Sequence, residues 1–257
     1  MTSADWIRPD WPMPPRVRAI ITTRAGGSST GAYGAPGGGG MNLGLGSGDD
    51  VSVVAANRAR LRESLPGEPR WLRQVHGPQV VDAATVDGIV EADAAVTDQP
   101  GTVAVVMVAD CMPVLLADER GRGVGVAHAG WRGLAAGVLQ ATVRAMRGRL
   151  GEPNARLIAY LGPAIGPDHF EVGGDVLQAM TAGLQGAAAA FVPAGAGKYR
   201  ADLFALGRMA LAAAGVDAVL GGGVCTYCDP DRFYSHRRDR VTGRHAAVIW
   251  IDRWSTA

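Results

Sequence analysis

Three side chains with metal-binding or nucleophilic chemistry stand where apolar runs break off. His76 follows Arg73-Gln-Val and precedes Gly77-Pro78, at the end of a short strand entering a turn. Cys111 closes the run TVAVVMVAD, and His128 closes GVGVAH. The ends of buried strands are where open sites form on sheet proteins. Two imidazoles and a thiolate suffice to hold zinc with a fourth position left for water or substrate. Structural zinc sites use short ligand spacings, whereas these residues lie 35 and 17 positions apart, a dispersion that suits a catalytic site assembled by the fold. The same residues admit a second chemistry, with Cys111 as nucleophile and His128 as its base, as in a Cys–His amide hydrolase. Spacing does not separate the two readings.

The other candidate groups are weaker. Cys225-Thr-Tyr-Cys228 is a lone C-x-x-C, read as structural or incidental thiols because no second pair accompanies it. The zinc-deaminase pattern fails, since neither His76 nor His128 has the required downstream Glu. A multi-site copper oxidase would draw heavily on histidine, and the chain has five. Arg24, Arg132 and Arg237-Arg238 are candidates for gripping an anion, because the planar guanidinium fork matches phosphate and carboxylate oxygens. Arg132 is the best placed, four residues beyond His128 and beside Trp131.

The elements that must position these groups read as α/β. The segments 102–108, 113–117, 123–128, 157–161 and 246–251 are apolar and β-branched enough for strands, those of 102–108 buried on both faces. Helices are predicted over 51–65, 133–150, 174–184 and 201–214. Hairpins interrupt the βαβ rhythm, which argues for mixed sheets with outer helices and against a doubly wound nucleotide fold. Eleven glycines between Gly26 and Gly48 predict a long surface loop, a flexible lid or crossing, and they form no phosphate-binding pattern. The Ala/Gly-rich stretch 185–198 reads as a mobile connection. No repeat and no compositional break is found, so one domain over 1–257 is expected, with its core at about 22–251.

Composition sets the outer limits. Hydrophobic residues are 47% and charged residues 19% of 257, which excludes a disordered chain. A net charge of +1 gives no basic excess for nucleic acid or an anionic membrane. Three cysteines and an acid- and proline-bearing start suggest a reduced, soluble, cytoplasmic protein without a membrane span.

An ordered series of motifs then carries a resemblance: Gln74-Val-His76-Gly77, Ala92-Asp-Ala-Ala-Val-Thr97, Ala109-Asp-Cys111-Met-Pro113 and His128-Ala-Gly-Trp-Arg-Gly133, followed by Gly162-Pro-Ala-Ile-Gly166, Ala201-Asp-Leu, Cys225-Thr, Phe233-Tyr-Ser-His-Arg-Arg238 and Thr242-Gly-Arg244. From about Thr22 to Ile251 the chain resembles the YfiH family of purine nucleoside phosphorylases, laccase-domain proteins once described as multicopper polyphenol oxidases. The resemblance implies a four-layer α/β/β/α domain, in the fold group shared with a bacterial toxin's Cys–His deamidase domain. It implies a zinc ion, with copper as the alternative, held by His76, Cys111 and His128. It further implies phosphorolysis of adenosine, inosine and S-methyl-5′-thioadenosine, with adenosine deamination as an additional activity, so the expected partners are a purine nucleoside and phosphate. By motif position Arg132 and Arg237 are expected on the phosphate, Arg24 and Asn42 at the substrate, and Asp93 or Asp110 behind a ligating histidine or on the ribose.

Overall fold

A computed structural model of the chain describes residues 6–12 and 14–253. Ten strands build its two principal sheets: β1 (Val17–Ile21), β2 (Pro69–Arg70), β3 (Val80–Asp82), β4 (Ala94–Thr97), β5 (Val103–Val108), β6 (Met112–Asp118), β7 (Val124–Ala129), β8 (Leu157–Leu161), β9 (Ala218–Gly221) and β10 (His245–Ile251). One sheet has the order β1-β10-β5-β2 and the other β9-β8-β6-β7-β4-β3. Most neighbours are antiparallel, but β2–β5, β8–β9 and β3–β4 run parallel, so both sheets are mixed, as expected.

The helices are α1 (Val51–Arg62), α2 (Trp131–Ala135), α3 (Val138–Leu150), α4 (Gly174–Gly183), α5 (Leu203–Ala213) and α6 (His236–Asp239). Strand periodicity shows how the layers form, because alternate side chains serve opposite faces. In β6, Leu115 and Ala117 pack between the sheets while Val114 and Leu116 pack under α3 and α5. In β10, Ala247, Ile249 and Ile251 face the inter-sheet core, while Ala246, Val248 and Trp250 join Leu61 and Leu65 in the cluster at α1. Both strands are buried along their whole length, hence their unbroken apolar sequence. The result is four layers, α/β/β/α. Among the described residues no helix is long and apolar enough to cross a membrane.

Three expectations need correction. The helix expected over 133–150 is two helices, because Gly137 takes the left-handed conformation (φ 84°) and ends one helical run before the next begins. The stretch 185–198 is not a loose connection. It forms a 3₁₀ turn at Ala187–Ala190 and a strand, Phe191–Gly195, paired antiparallel with Lys198–Ala201. Ala187 and Ala190 are buried, so the small residues are packing material.

The glycine-rich segment is also ordered, and part of it lies inside the protein: Met41, Asn42 and Leu43 are wholly buried. Ala25 and Ser29 both bridge Gly40, and a Cβ on Gly27 or Gly40 would collide with a facing backbone carbonyl. The glycines permit backbones to touch. Asn57 of α1 ties the segment down, accepting from Ser28 N at 2.8 Å and donating to Ser29 Oγ at 3.0 Å, Gly40 O at 3.1 Å and Asn42 O at 3.0 Å. Replacing Asn57 with Ala leaves those buried carbonyls unpaired. A loss of about 2–4 kcal/mol of stability is expected from chemical denaturation midpoints. A change below about 0.5 kcal/mol would show that Asn57 does not pin this segment.

Candidate metal centre and cleft

The chain leaves the four-stranded sheet at the end of β5 and enters the six-stranded sheet at β6 through three residues, Ala109, Asp110 and Cys111. The passage is tight enough to force Asp110 to φ 80°, a conformation that costs a non-glycine residue about 1 kcal/mol or more. Its carboxylate holds the turn in place, accepting from Thr226 Oγ1 at 2.7 Å and from Arg237 N at 2.6 Å. Cys111 is thereby fixed at the junction of the two sheets. His128 has the parity of Val124 and Val126, which face the inter-sheet core, so its ring enters the same junction from β7.

His76 comes from a loop whose conformation is set by Asp93. The Asp93 carboxylate is fully buried and accepts from three successive amides, Val75 N at 3.0 Å, His76 N at 2.9 Å and Gly77 N at 2.8 Å. One of its oxygens also lies 2.8 Å from His128 Nδ1. Asp93 thus orients both histidines at once and leaves His128 its Nε2 for the cluster. Burial opposes charge on Asp93, but the His128 hydrogen bond and the Gly77 and Val75 amides outweigh it and hold the carboxyl below its ordinary range.

His76, Cys111 and His128 offer ligand atoms that all lie within 4.8 Å of one another. Zinc bonds of about 2.1 Å to nitrogen and 2.3 Å to sulfur set tetrahedral donor separations of about 3.5 Å, so small side-chain adjustments close the set around an ion. The imidazoles meet edge to face, with ring centroids 4.7 Å apart. Gly130 makes room: a Cβ there would sit 2.7 Å from Cys111 Sγ and 3.4 Å from His76 Cδ2. Without an ion the group behaves as an ion pair. Burial opposes the charge on both partners. The nearby His128 and the hydrogen bonds from both histidines nevertheless bring Cys111 down to about 6, and the thiolate together with Asp93 raises His128 to about 9.

The cluster opens into a cleft of about 840 Å³. Arg132 and Arg237, the residues proposed for phosphate, both line it, Arg132 over the Trp131 ring at 4.3 Å and Arg237 over Phe170 at 5.4 Å. Arg24 and Asn42 do not line it. Arg24 turns toward Gly34 O and Asp239 beside a separate hollow of about 390 Å³. Asn42 is internal, donating to Ser47 Oγ and Asp49 and accepting from Gly44 N and Arg244 N. Asp93 is occupied behind the histidines, with no surface left for ribose. Sequence reasoning missed Arg58, Arg240 and Arg244, which also line the cleft. Arg244 sat in view at the end of Thr242-Gly-Arg244; Arg58 carries no local signal, being one arginine of several on α1. Cys225 accepts from Gly166 N at 3.2 Å and Cys228 is exposed, both away from the His–Cys–His cluster.

Fold and site define a laccase-like domain with a His–Cys–His cluster at the meeting of two sheets. The family model described as multi-copper polyphenol oxidoreductase laccase matches residues 18–252. A purine nucleoside phosphorylase of Pseudomonas aeruginosa is 49% identical over 247 residues, 96% of this chain and 98% of that protein. The Escherichia coli purine nucleoside phosphorylase YfiH is 45% identical over 248 residues, 95% of this chain and 98% of that one. A crystal structure of a Neisseria meningitidis protein superposes with a TM-score of 0.90 at 46% identity, covering 97% of this chain and all of that one. The chain belongs to the YfiH family of laccase-domain purine nucleoside phosphorylases.

The thiolate has a measurable consequence. In chelator-treated protein, alkylation of Cys111 should stay near its maximal rate at pH 7 and halve only as pH falls through about 6. Cys228, whose thiol is pushed up by its hydrogen bond to Cys225 and by burial, should react appreciably only in alkali. Peptide mass spectrometry across pH separates the two; a Cys111 that stays unreactive until pH 8 would contradict the ion pair.

Proposed function

We propose that this protein is a zinc-dependent purine nucleoside phosphorylase. It cleaves adenosine, inosine and S-methyl-5′-thioadenosine with inorganic phosphate to the free base and the (methylthio)ribose 1-phosphate, and it deaminates adenosine as a further activity. The observation that carries this reading is a three-donor cluster, with the His128 ring oriented through Nδ1 by Asp93, that opens into an arginine-lined cleft. His76, Cys111 and His128 fit zinc by donor type and leave a coordination position open. The chemistry that ion supplies when bound is Lewis-acid polarisation of a substrate atom or a water.

The chain's own residues do the positioning. Arg132 and Arg237 grip phosphate, so that one of its oxygens faces the anomeric carbon. That oxygen forms the new C1′–O bond as the C1′–N9 bond breaks, and the bonding pair leaves with the purine, which takes up a proton. Phe170 and Trp131 present apolar ring surface to the base. Holding the reactants in line and stabilising charge on phosphate are the main contributions available to the protein.

Two other readings fare less well. A multi-copper oxidase needs further ligand sets, and His76, Cys111 and His128 form the one metal-capable cluster among the described residues. His245 is buried and takes the Tyr234 amide, and His169 stacks on Tyr227. A Cys–His amide hydrolase is favoured by the Cys111–His128 ion pair, but it leaves His76 without a role.

Purified protein should hold about one zinc per chain. With phosphate it should release adenine from adenosine, and without phosphate it should form inosine only. Cys111→Ala should lose both activities by at least about 100-fold while still unfolding cooperatively. Arg132→Ala should raise the phosphate KM about tenfold with little change for nucleoside. Base release that ignores phosphate, or full activity without metal, would defeat the proposal.

A further inference from the structure

We infer that Cys225 and Cys228 form a reversible thiol–disulfide couple, a modification site apart from the His–Cys–His cluster, and that the molecule it reacts with is a low-molecular-weight disulfide of the glutathione type. The two residues bound a short segment in which Thr226, Tyr227 and Cys228 form a turn. A four-residue turn brings the Cα atoms of its ends within about 7 Å, and a disulfide spans about 4.4–6.8 Å between them. The side chains meet as well, the Cys228 thiol hydrogen-bonding to Cys225. Cys228 is exposed and Cys225 half-buried, so a small molecule reaches the pair from solvent.

Two thiols in contact serve either metal binding or redox exchange, and their surroundings decide between the two. Among the described residues no His, Asp or Glu joins the pair in a metal-capable group. His169 lies beside the turn, but its ring stacks on Tyr227 with centroids 4.2 Å apart. Redox exchange remains, and the turn is built to keep the sulfurs together before an oxidant arrives. Ala164 N donates to Val224 O at 3.1 Å and Thr226 N to Ala164 O at 2.9 Å, which fixes the backbone on both sides of Cys225. Thr226 Oγ1 donates to Asp110 at 2.7 Å, and Arg238 donates to the Thr226 and Tyr227 carbonyls at 2.9 Å each. Gly166 N donates to Cys225 Sγ at 3.2 Å, and a Cβ at residue 166 would crowd that same sulfur at 3.2 Å. Groups held in contact react at effective concentrations far above those of free solution.

The hydrogen bonds assign the order of events. Cys225 Sγ accepts from the Gly166 amide and from the Cys228 thiol, so it is the sulfur placed to carry negative charge. The bond to Cys225, with burial and the charges of Cys225 and Asp168, holds the Cys228 thiol above its ordinary range. The Cys225 thiolate attacks one sulfur of the small disulfide and forms a mixed disulfide as the first thiolate leaves. Cys228 then gives up its proton and attacks Cys225 Sγ, which forms the Cys225–Cys228 bond and expels the second thiolate. Two electrons pass from the pair to the small disulfide, which becomes two thiols with the two protons that the pair releases. A disulfide sulfur is a weaker acceptor than a thiolate, so closure costs the Gly166 amide its partner and favours return to the dithiol under reductant.

Peptide mass spectrometry of the purified full-length protein, incubated with oxidised glutathione near neutral pH and quenched with acid, tests the couple. Trypsin isolates both thiols on one peptide, 209–232, apart from Cys111. In wild type that peptide should lose two hydrogens and cease to take up an alkylating agent, and dithiothreitol should restore both thiols. Cys228→Ser, a change at an exposed position, should trap one glutathione on Cys225 at about tenfold or more the level seen in wild type. Cys225→Ser should leave Cys228 unmodified over the same period. Melting curves check folding, and Cys228→Ser decides the matter if Cys225→Ser does not fold. A wild-type peptide that keeps two free thiols, that holds glutathione without closing, or that links to a second chain overturns the couple. A second zinc per chain that Cys228→Ser loses overturns it in favour of metal binding, and glutathione trapped on Cys228 alone overturns Cys225 as the attacking sulfur.

Discussion

One buried carboxylate organises the His–Cys–His cluster. Asp93 accepts three consecutive amides of the His76 loop and the Nδ1 proton of His128, so a single group sets two ligands that lie 52 positions apart in sequence. A carboxylate without exposure is unfavourable unless its lone pairs are filled. Here four donors fill them, and the penalty of breaking any of these contacts becomes the rigidity of the site. The loop cannot drift without stranding the charge, and the ring cannot flip without losing its partner. Orientation of a ligand through its second nitrogen also fixes its tautomer, which is what a metal-binding imidazole requires.

Asp110 does for the cysteine what Asp93 does for the histidines. The chain changes sheets at this residue, in a conformation that disfavours a side chain, and the carboxylate turns that strain into a tie to Thr226 and to the Arg237 amide. The Cys111 turn, the segment after Cys225 and α6 are therefore one connected body. Arg237 reaches the cleft because its own backbone is anchored to the residue before Cys111. The C-x-x-C reads best as part of this support: Thr226 lies between the two thiols, and Arg238 caps the Thr226 and Tyr227 carbonyls at 2.9 Å each.

Much of this was legible in sequence, for definable reasons. Strands buried on both faces leave continuous apolar runs, so β5, β6, β7 and β10 were visible, as were Cys111 and His128 at the ends of such runs, while His76 sits on a loop of its own. The four layers and the substrate class came from the resemblance. What failed depended on contacts remote in sequence. The glycines at 27 and 40 signal flexibility when read locally, yet they are there because two backbones touch and Asn57 locks them. Ala187 and Ala190 look like filler until they are seen buried against α4 and α5. Gly137 breaks a helical pattern that its neighbours would continue. Asn42 was placed at the substrate because its motif lies near the site, but its amide is consumed in shaping the loop that holds Arg244.

The same distance between pattern and place explains the charge. A net charge of +1 says that the chain as a whole carries no field for a polyanion. It says nothing about a cleft, because the acids that balance the arginines are spent elsewhere, on Arg122, Arg149 and Arg18. Within the cleft Asp110 is the acidic lining residue beside Arg58, Arg132, Arg237, Arg240 and Arg244, its oxygens are already used, and a further arginine, Arg73, is answered by Glu91. Sites that break the rules the rest of a protein obeys are the ones shaped by a ligand. By that argument the arginines of the cleft and the cluster beside them belong to one site, in which the thiolate is answered by His128 while the arginine side chains line the open space.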